Sequence, residues 1–403
     1  MMSRWLTIIG IGEDGVEGLS PGARHALETA EVIVGGDRHH NLTANATAER
    51  LKWPHPFDAL IEDLRARRGK RLVVLATGDP LWYSVGARIG RAIPPDEITY
   101  FPQLSAFQWA AARMGWSLAD AETLTAHGRP AEQVVPFFWP GAALLILTAG
   151  PQTPGEIARL LTARGYETST MTVLGALGGP TETRYDGTAA TWAAEDPAEH
   201  LPAFHTLAVH CSGTCPKRMP RIAGLPDEAF EHDGKLTKRE VRALTLARLM
   251  PARHEVLWDI GVGCGSVAIE WMRAAKDALA FGIDTNRTRL DMAARNAMTL
   301  GTPKLDLIEG HAPEALGNLP DPDAIFIGGG LSQQTAAACL EALPPGGRLV
   351  ANAVTLESEA VLLGLHRAHG GSLTRLSVQR ADPVGDLTGW RPAMPVTQWA
   401  LER

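Results

Sequence analysis

At 403 residues the chain is too long for one ordinary core, so two or three domains are expected. Its 45% hydrophobic content, 41 glycines and 28 prolines suit compact, loop-rich α/β domains. A net charge of −7, from 38 basic and 45 acidic residues, argues against the electrostatic footprint of a nucleic-acid binder. The opening Met1-Met2-Ser3-Arg4-Trp5-Leu6 runs into a strand without an apolar signal-peptide core, and no apolar run approaches the ~18 residues of a membrane span. The expectation is a cytoplasmic protein with neither nucleic-acid nor membrane partners.

Residues 5–12 form a short apolar run ending in glycine, which predicts a buried strand. With Glu13-Asp14-Gly15 they spell G-x-G-x-x-G. The next helix, however, starts only near Ser20-Pro21, with Ser20 as N-cap and Pro21 at its first position. No helix N-terminus abuts these glycines, so the dinucleotide reading is rejected. Glu31–Val34 is the second strand. Arg71–Thr77 is another and runs into Gly78-Asp79-Pro80, a loop at the carboxyl edge of the sheet, where α/β ligands bind. The same residues are also ordinary turn punctuation. After a strand at 98–101, Ser105 can cap the following helix or offer its hydroxyl to a ligand. Further strands are predicted at 143–148, 170–175 and 206–210, with a helix opening at Thr153-Pro154. Cys211 and Cys215 stand in a C-x₃-C spacing with no second pair, which reads as two lone thiols in preference to a zinc site, and no metal is expected. Residues 212–226, rich in proline, glycine and basic side chains, read as a linker.

Beyond the linker, Thr237 with Glu240 predicts a capping box opening a helix that carries Val241, Leu246 and Leu249. The stretch Leu257–Glu270 is the most informative in the chain. It reads as a buried strand, a turn with glycines at 261, 263 and 265, and a helix whose free N–H groups point at that turn. The next strand, Ala280–Asp284, ends in an acid about 20 residues past the loop, where an open α/β sheet puts the carboxylate that takes ribose hydroxyls. Strands at 305–309, 323–327 and 346–354 follow, and two more near 373–380 and 394–402 suggest a hairpin-type closure. Five strands alternating with helices predict one doubly wound α/β domain.

This loop, helix and acid, with Asp323 opening the fourth strand and Pro345-Gly346-Gly347 before the fifth, resemble the Rossmann-type S-adenosylmethionine-dependent methyltransferases. The strings Leu225–Arg242 and Glu309–Leu316 are similar to the decarboxylating precorrin methyltransferases of cobalamin biosynthesis. The N-terminal half resembles the tetrapyrrole methylases through Ile9–Gly12, Leu75–Pro80, Pro102 with Ser105-Ala106, and Leu174-Gly175 with Glu182. Fused in one chain, the two halves resemble the bifunctional methyltransferases that act on precorrin-6Y.

The resemblance implies a tetrapyrrole methylase domain at 1–211, with subdomains about 1–112 and 113–211, and a Rossmann-type domain at 227–403. It also implies two S-adenosylmethionine sites. In the C-terminal one, Gly261, Val262, Gly263, Cys264 and Gly265 would lie beneath the methionine part and Asp284 on the ribose, flanked by Thr237, His311 and Ala312. Many relatives carry an aspartate where this chain has His311, so a backbone contact is expected there. In the N-terminal half, Gly78, Asp79, Ser105, Ala106 and Thr148 would line a cleft between subdomains. The implied substrate is precorrin-6Y, rich in carboxylates, and Lys238, Arg239, Arg242 and Arg348 are candidate cations, with Asn352 and Glu357 at the carboxyl edge. Lys238 and Arg239 read more readily as a solvated helix face.

The implied activity is methylation at carbons 5 and 15 with loss of the ring C acetate carboxyl, giving precorrin-8, from a homo-oligomer. A carbon nucleophile needs no strong base, so no Ser-His-Asp or Cys-His set is expected. The competing readings are a Rossmann methyltransferase acting on RNA or another small molecule, and a non-catalytic scaffold that hands on tetrapyrroles.

Overall fold

A computed structural model describes residues 4–214 and 216–403. Cys215, half of the C-x₃-C spacing, lies outside the described residues. The chain divides into two compact units. Unit 1 runs to Ala131 and resumes over Trp139–Lys217, and unit 2 comprises Glu132–Phe138 and Arg218–Arg403. Residues 132–138 thus group with unit 2, although the sequence reading put them in the first domain. Val134, Val135 and Phe138 are buried, and a one-dimensional reading cannot see which core receives them.

Unit 1 holds two five-stranded sheets. The first is built from β1 (Leu6–Ile11), β2 (Val32–Val34), β3 (Glu49–Leu51), β4 (Leu72–Thr77) and β5 (Ile98–Phe101), all parallel, in the order β3-β2-β4-β1-β5. Its three central strands, β2, β4 and β1, are largely apolar because both faces are covered, whereas the edge strand β3 is Glu49-Arg50-Leu51 and partly exposed. Leu6, Ile8, Val74 and Val34 pack into one cluster, while Ile9, Ile11, Val73 and Ile33 pack into another, which is the period of two expected of a strand. The second sheet comprises β6 (Ala121–Thr125), β7 (Ala143–Leu147), β8 (Thr170–Gly175), β9 (Thr183–Thr188) and β10 (His205–His210), ordered β6-β7-β10-β8-β9. Only β6 and β7 run parallel in it.

In unit 2, β11 (Val256–Ile260), β12 (Leu279–Asp284), β13 (Asp306–Glu309), β14 (Ala324–Ile327) and β15 (Arg348–Ala353) form a parallel, doubly wound sheet. The seven-stranded order is β13-β12-β11-β14-β15-β19-β16, with β16 (Ser372–Leu376) and β19 (Val396–Glu402) antiparallel at one side. The loops after β11, β12 and β14 therefore emerge along one carboxyl edge, beside the point where strand order reverses. The expected closing pair is present, but a separate hairpin of β17 (Gln379–Val384) and β18 (Leu387–Pro392) stands between its strands. A two-residue Gly385-Asp386 turn makes that hairpin, with Gly385 at φ 62°.

The helix after the linker begins at Arg239, with Lys238 at its cap and no side-chain capping bond. The capping box predicted from Thr237 and Glu240 does not form, because the helix starts one residue later than expected, and the Glu240 carboxylate accepts from Arg380 of the hairpin, 2.5 Å away. Among the described residues, no helix is long and apolar enough to cross a membrane.

Candidate functional site

The glycine turn after β11 is shaped by how little room it has. Gly261, at φ 73°, packs so closely on the loop after β14 that a Cβ there would lie 2.5 Å from the Gly329 backbone. The Gly261 and Val262 N–H groups both donate to the Ile283 carbonyl of β12, at 2.9 and 3.0 Å. The Val262 side chain fills the space that β12 leaves at Gly282, where a Cβ would approach it to 2.7 Å. The loop is thus clamped between two strand ends, and Asp284 completes it. One carboxylate oxygen accepts from Gly263 N–H at 3.0 Å, and the other accepts from Asn286 N–H at 2.9 Å. Asn286 in turn caps the helix Arg287–Leu300, its side chain accepting from Arg289 N–H.

Above this frame lies a cleft of about 950 Å³. Gly261, Gly263 and Asp284 form its floor, and Thr237, His311 and Ala312 stand on its walls. Lys238 and Asn352 line it as well, and Asn352 is held by hydrogen bonds with Thr245 and Gln398. Lys235, Arg289 and Arg380 also line the cleft, although they are not among the residues expected there. The cue available for Lys235 was its place two residues before Thr237. Arg380 sits on a hairpin whose fold over this edge has no local signature.

Other candidates fall elsewhere. Val262 and Cys264 turn their side chains into the core, and burial raises the Cys264 thiol pKa. Gly265 caps the helix Ser266–Ala274 behind the turn. Glu357 is exposed in the first turn of the helix Leu356–His369 and does not line the cleft, nor does Arg239. Arg348 does not reach the cleft because it enters β15 at the amino end, opposite the loops. There it is buried, paired with Glu255 at 2.5 Å and donating to the Leu249 carbonyl. Arg242 is fully buried and serves the scaffold, not a ligand.

Beneath the loop, Asp259 of β11 is wholly enclosed. One of its oxygens accepts from Ala268 N–H at 3.0 Å, and the other has no partner. Burial, opposed by the Ala268 bond and reinforced by the nearby Asp284 charge, pushes its pKa up to about 7. The folded state therefore keeps a proton that the unfolded chain releases near pH 4, so this group makes stability fall as pH rises from about 4 to about 7. At one pKa unit per ~1.4 kcal/mol, the loss is on the order of 4 kcal/mol. Asp259→Asn is expected to flatten the pH dependence of urea unfolding over that window and to be the more stable protein at pH 8. An unaltered pH profile in the variant would refute this.

In unit 1 a cavity of about 30 Å³ lies between the carboxyl edge of the first sheet and the second sheet. That is room for a water or two. Ala106 lines it, together with Glu13, Arg38, Thr77 and Phe204. Gly78, Asp79, Ser105 and Thr148 do not line it, since their polar groups serve local structure. The Asp79 carboxylate accepts from Leu81 N–H at 2.7 Å, and Ser105 caps the helix Ala106–Met114. The Thr148 hydroxyl donates to the His205 carbonyl at 2.8 Å. The Cys211 and Cys339 thiols are buried, and burial pushes both up to about 12. Among the described residues, no group of three or more histidines, cysteines or acids is placed to hold a metal ion.

A doubly wound sheet whose glycine turn and strand-end acid open on one cleft defines unit 2 as a Rossmann-type methyltransferase fold. Residues 228–403 match the family described as precorrin methyltransferase domain, and residues 5–193 match the tetrapyrrole (corrin/porphyrin) methylases. A precorrin-6Y C(5,15)-methyltransferase [decarboxylating] from a Sinorhizobium species is 47% identical over 99% of this chain and 97% of its own. One from Mycobacterium tuberculosis is 39% identical over 99% of this chain and 100% of its own. The crystal structure of the C-terminal domain of precorrin-6Y C5,15-methyltransferase from Rhodobacter capsulatus is 47% identical, covering 46% of this chain and 100% of that one, with a TM-score of 0.44. The chain belongs to the family of decarboxylating precorrin-6Y C(5,15)-methyltransferases.

Proposed function

We propose that this chain is a bifunctional S-adenosylmethionine-dependent methyltransferase of cobalamin synthesis. It methylates precorrin-6Y at carbons 5 and 15 and removes the carboxyl of the ring C acetate. Unit 2 carries the carbon 15 methylation and the decarboxylation, and unit 1 the carbon 5 methylation, each with its own cofactor site. The observation that carries the reading is the unbroken likeness to such enzymes along both halves of the chain.

The cleft of unit 2 fits the cofactor in size and chemistry. Its volume of about 950 Å³ suits a nucleoside joined to an amino acid with space left for part of a second molecule. Asp284 would hold the ribose hydroxyls, and the Gly261–Gly263 backbone would lie under the amino-acid part. When bound, S-adenosylmethionine supplies an electrophilic methyl group. The protein's share is positioning, which can contribute ~7–11 kcal/mol. Lys235 and Lys238 line the cleft to meet substrate carboxylates, and the Thr245–Asn352–Gln398 bonds fix the Asn352 amide at its edge. Self-association fits the hairpin tip, where Val384, Leu387 and Trp390 are exposed.

The test is incubation with precorrin-6Y and isotopically labelled S-adenosylmethionine, followed by mass spectrometry. Two added methyls and the loss of one carbon dioxide are expected, and binding without a mass change would leave only a scaffold. Asp284→Ala should weaken cofactor binding to unit 2 at least tenfold, since it removes the ribose partner and the bonds to Gly263 and Asn286 together. Undiminished affinity in that variant would sink the assignment of Asp284.

A further inference from the structure

At the mouth of the small cavity in unit 1, Arg38 is aimed by everything around it. It follows β2 in the helix Asp37–Leu42, and its Nη1 donates to the Thr77 hydroxyl at 3.1 Å. His39 braces that hydroxyl from behind, with Nε2 at 2.9 Å and Nδ1 accepting from Gly36 N–H. Burial first, then the Arg38 and His40 charges, hold the His39 pKa down to about 4, so the ring is neutral. His205, the histidine that lines the cavity itself, is likewise held below the ordinary histidine range by burial, so the charges lining the cavity are those of Arg38 and Glu13.

That pair is an imperfect match. Nε of Arg38 meets Oε1 of Glu13 at 2.5 Å, and Nη2 bonds the same oxygen, so the guanidinium fork is not matched by the two oxygens of one carboxylate. Both side chains remain partly exposed, 30% for Arg38 and 19% for Glu13, so the pair is open to exchange. It also spans unit 1. The Arg38 guanidinium lies 4.1 Å from the centre of the Phe204 ring, just before β10, and Glu13 packs where a Cβ on Gly179 would stand 2.6 Å from its own. A cavity of about 30 Å³ behind this pair admits no cofactor until the two sides part.

We propose that Arg38 binds a carboxylate of the tetrapyrrole substrate in unit 1, and that Glu13 holds that place and keeps the cleft shut until the substrate displaces it. The inference rests on the reading of unit 1 as the site of carbon 5 methylation. A substrate carboxylate offers Arg38 two oxygens in place of one, and its arrival frees Glu13 and separates the halves that the pair joins.

The test uses the full chain with precorrin-6Y and ¹³C-methyl S-adenosylmethionine, reading each carbon by NMR. Arg38→Met should raise the KM for carbon 5 methylation at least tenfold with a smaller change in kcat, and Arg38→Lys should recover part of that loss. Glu13→Gln should lower the same KM severalfold, because the internal competitor is gone. Methylation at carbon 15 should be unmoved by all three. An unchanged carbon 5 KM in Arg38→Met, or a KM raised by Glu13→Gln, overturns the proposal and leaves the pair as scaffold. If the unaltered protein places no methyl on carbon 5, the reading of unit 1 fails and takes this proposal with it. If it does and the Arg38 variants match it, only the role of Arg38 fails.

Discussion

Gly261→Ala is expected to reduce methylation at carbon 15 by at least a hundredfold. Two costs add at this position. The left-handed φ of 73° costs a non-glycine residue on the order of 1–2 kcal/mol. The new Cβ would also lie 2.5 Å from the Gly329 backbone, so the turn after β11 or the loop after β14 must move. Either shift carries Gly263 N–H away from Asp284 and spoils the floor of the cleft. Gly263→Ala is the matched control. Its φ of 55° is also left-handed, but a Cβ there meets only the Gly261 carbonyl at 4.0 Å, so only the conformational cost applies. Cofactor titration of both variants, with the carbon 15 rate, gives the comparison. Equal losses in the two would show that the packing of loop on loop is not what shapes the site.

Arg242→Ala is expected to lower the stability of unit 2 by about 3–5 kcal/mol, the usual cost of leaving a buried charge without its partner. Arg242 and Glu270 are both enclosed and meet at 2.7 Å. Glu270 also accepts from the Gly224 and Leu225 N–H groups, at 2.6 and 2.9 Å. Arg242 donates to the Thr237 carbonyl at 2.5 Å and to that of Leu225, and its guanidinium lies over Phe230. The pair therefore pins residues 224–237, the segment that leads into the wall of the cleft at Thr237 and Lys238. Urea unfolding of the full chain, followed by a signal from unit 2, measures the loss. A shift below 1 kcal/mol would mean the pair is spectator to the fold.

Local sequence is most informative where its pattern and its tertiary role coincide. The strand, glycine turn and helix of 257–270 and the acid at 284 were legible because each step of a doubly wound sheet leaves a mark in the chain. The glycine motif at 10–15 runs into a short 3-10 turn at Gly15–Gly18, and the α-helix starts only at Pro21, as Ser20 and Pro21 predict. Arg348 misled because position next to a strand does not tell which end of the sheet a side chain serves. Arg242 misled because a basic residue near a predicted site gives no sign that an acid 28 residues later will enclose it. Glu240 went to a hairpin 140 residues away instead of its own helix end, a choice no window of local sequence can contain. The same limit hid Glu13, Arg38, Thr77 and Phe204, which four separate segments bring to one cavity in unit 1.

The placement of β19 between β15 and β16 has a consequence for how unit 2 comes into being. Five parallel strands can emerge from the ribosome and associate in turn, yet β15 keeps a bare flank until residues 396–402 have been made. Its Arg348–Ala353 backbone then waits through the synthesis of a helix, β16 and a whole hairpin before its partner exists. An apolar strand with an open flank is a template for pairing with a stranger. Nascent chains stalled between residues 353 and 396 should therefore be the ones most dependent on chaperones.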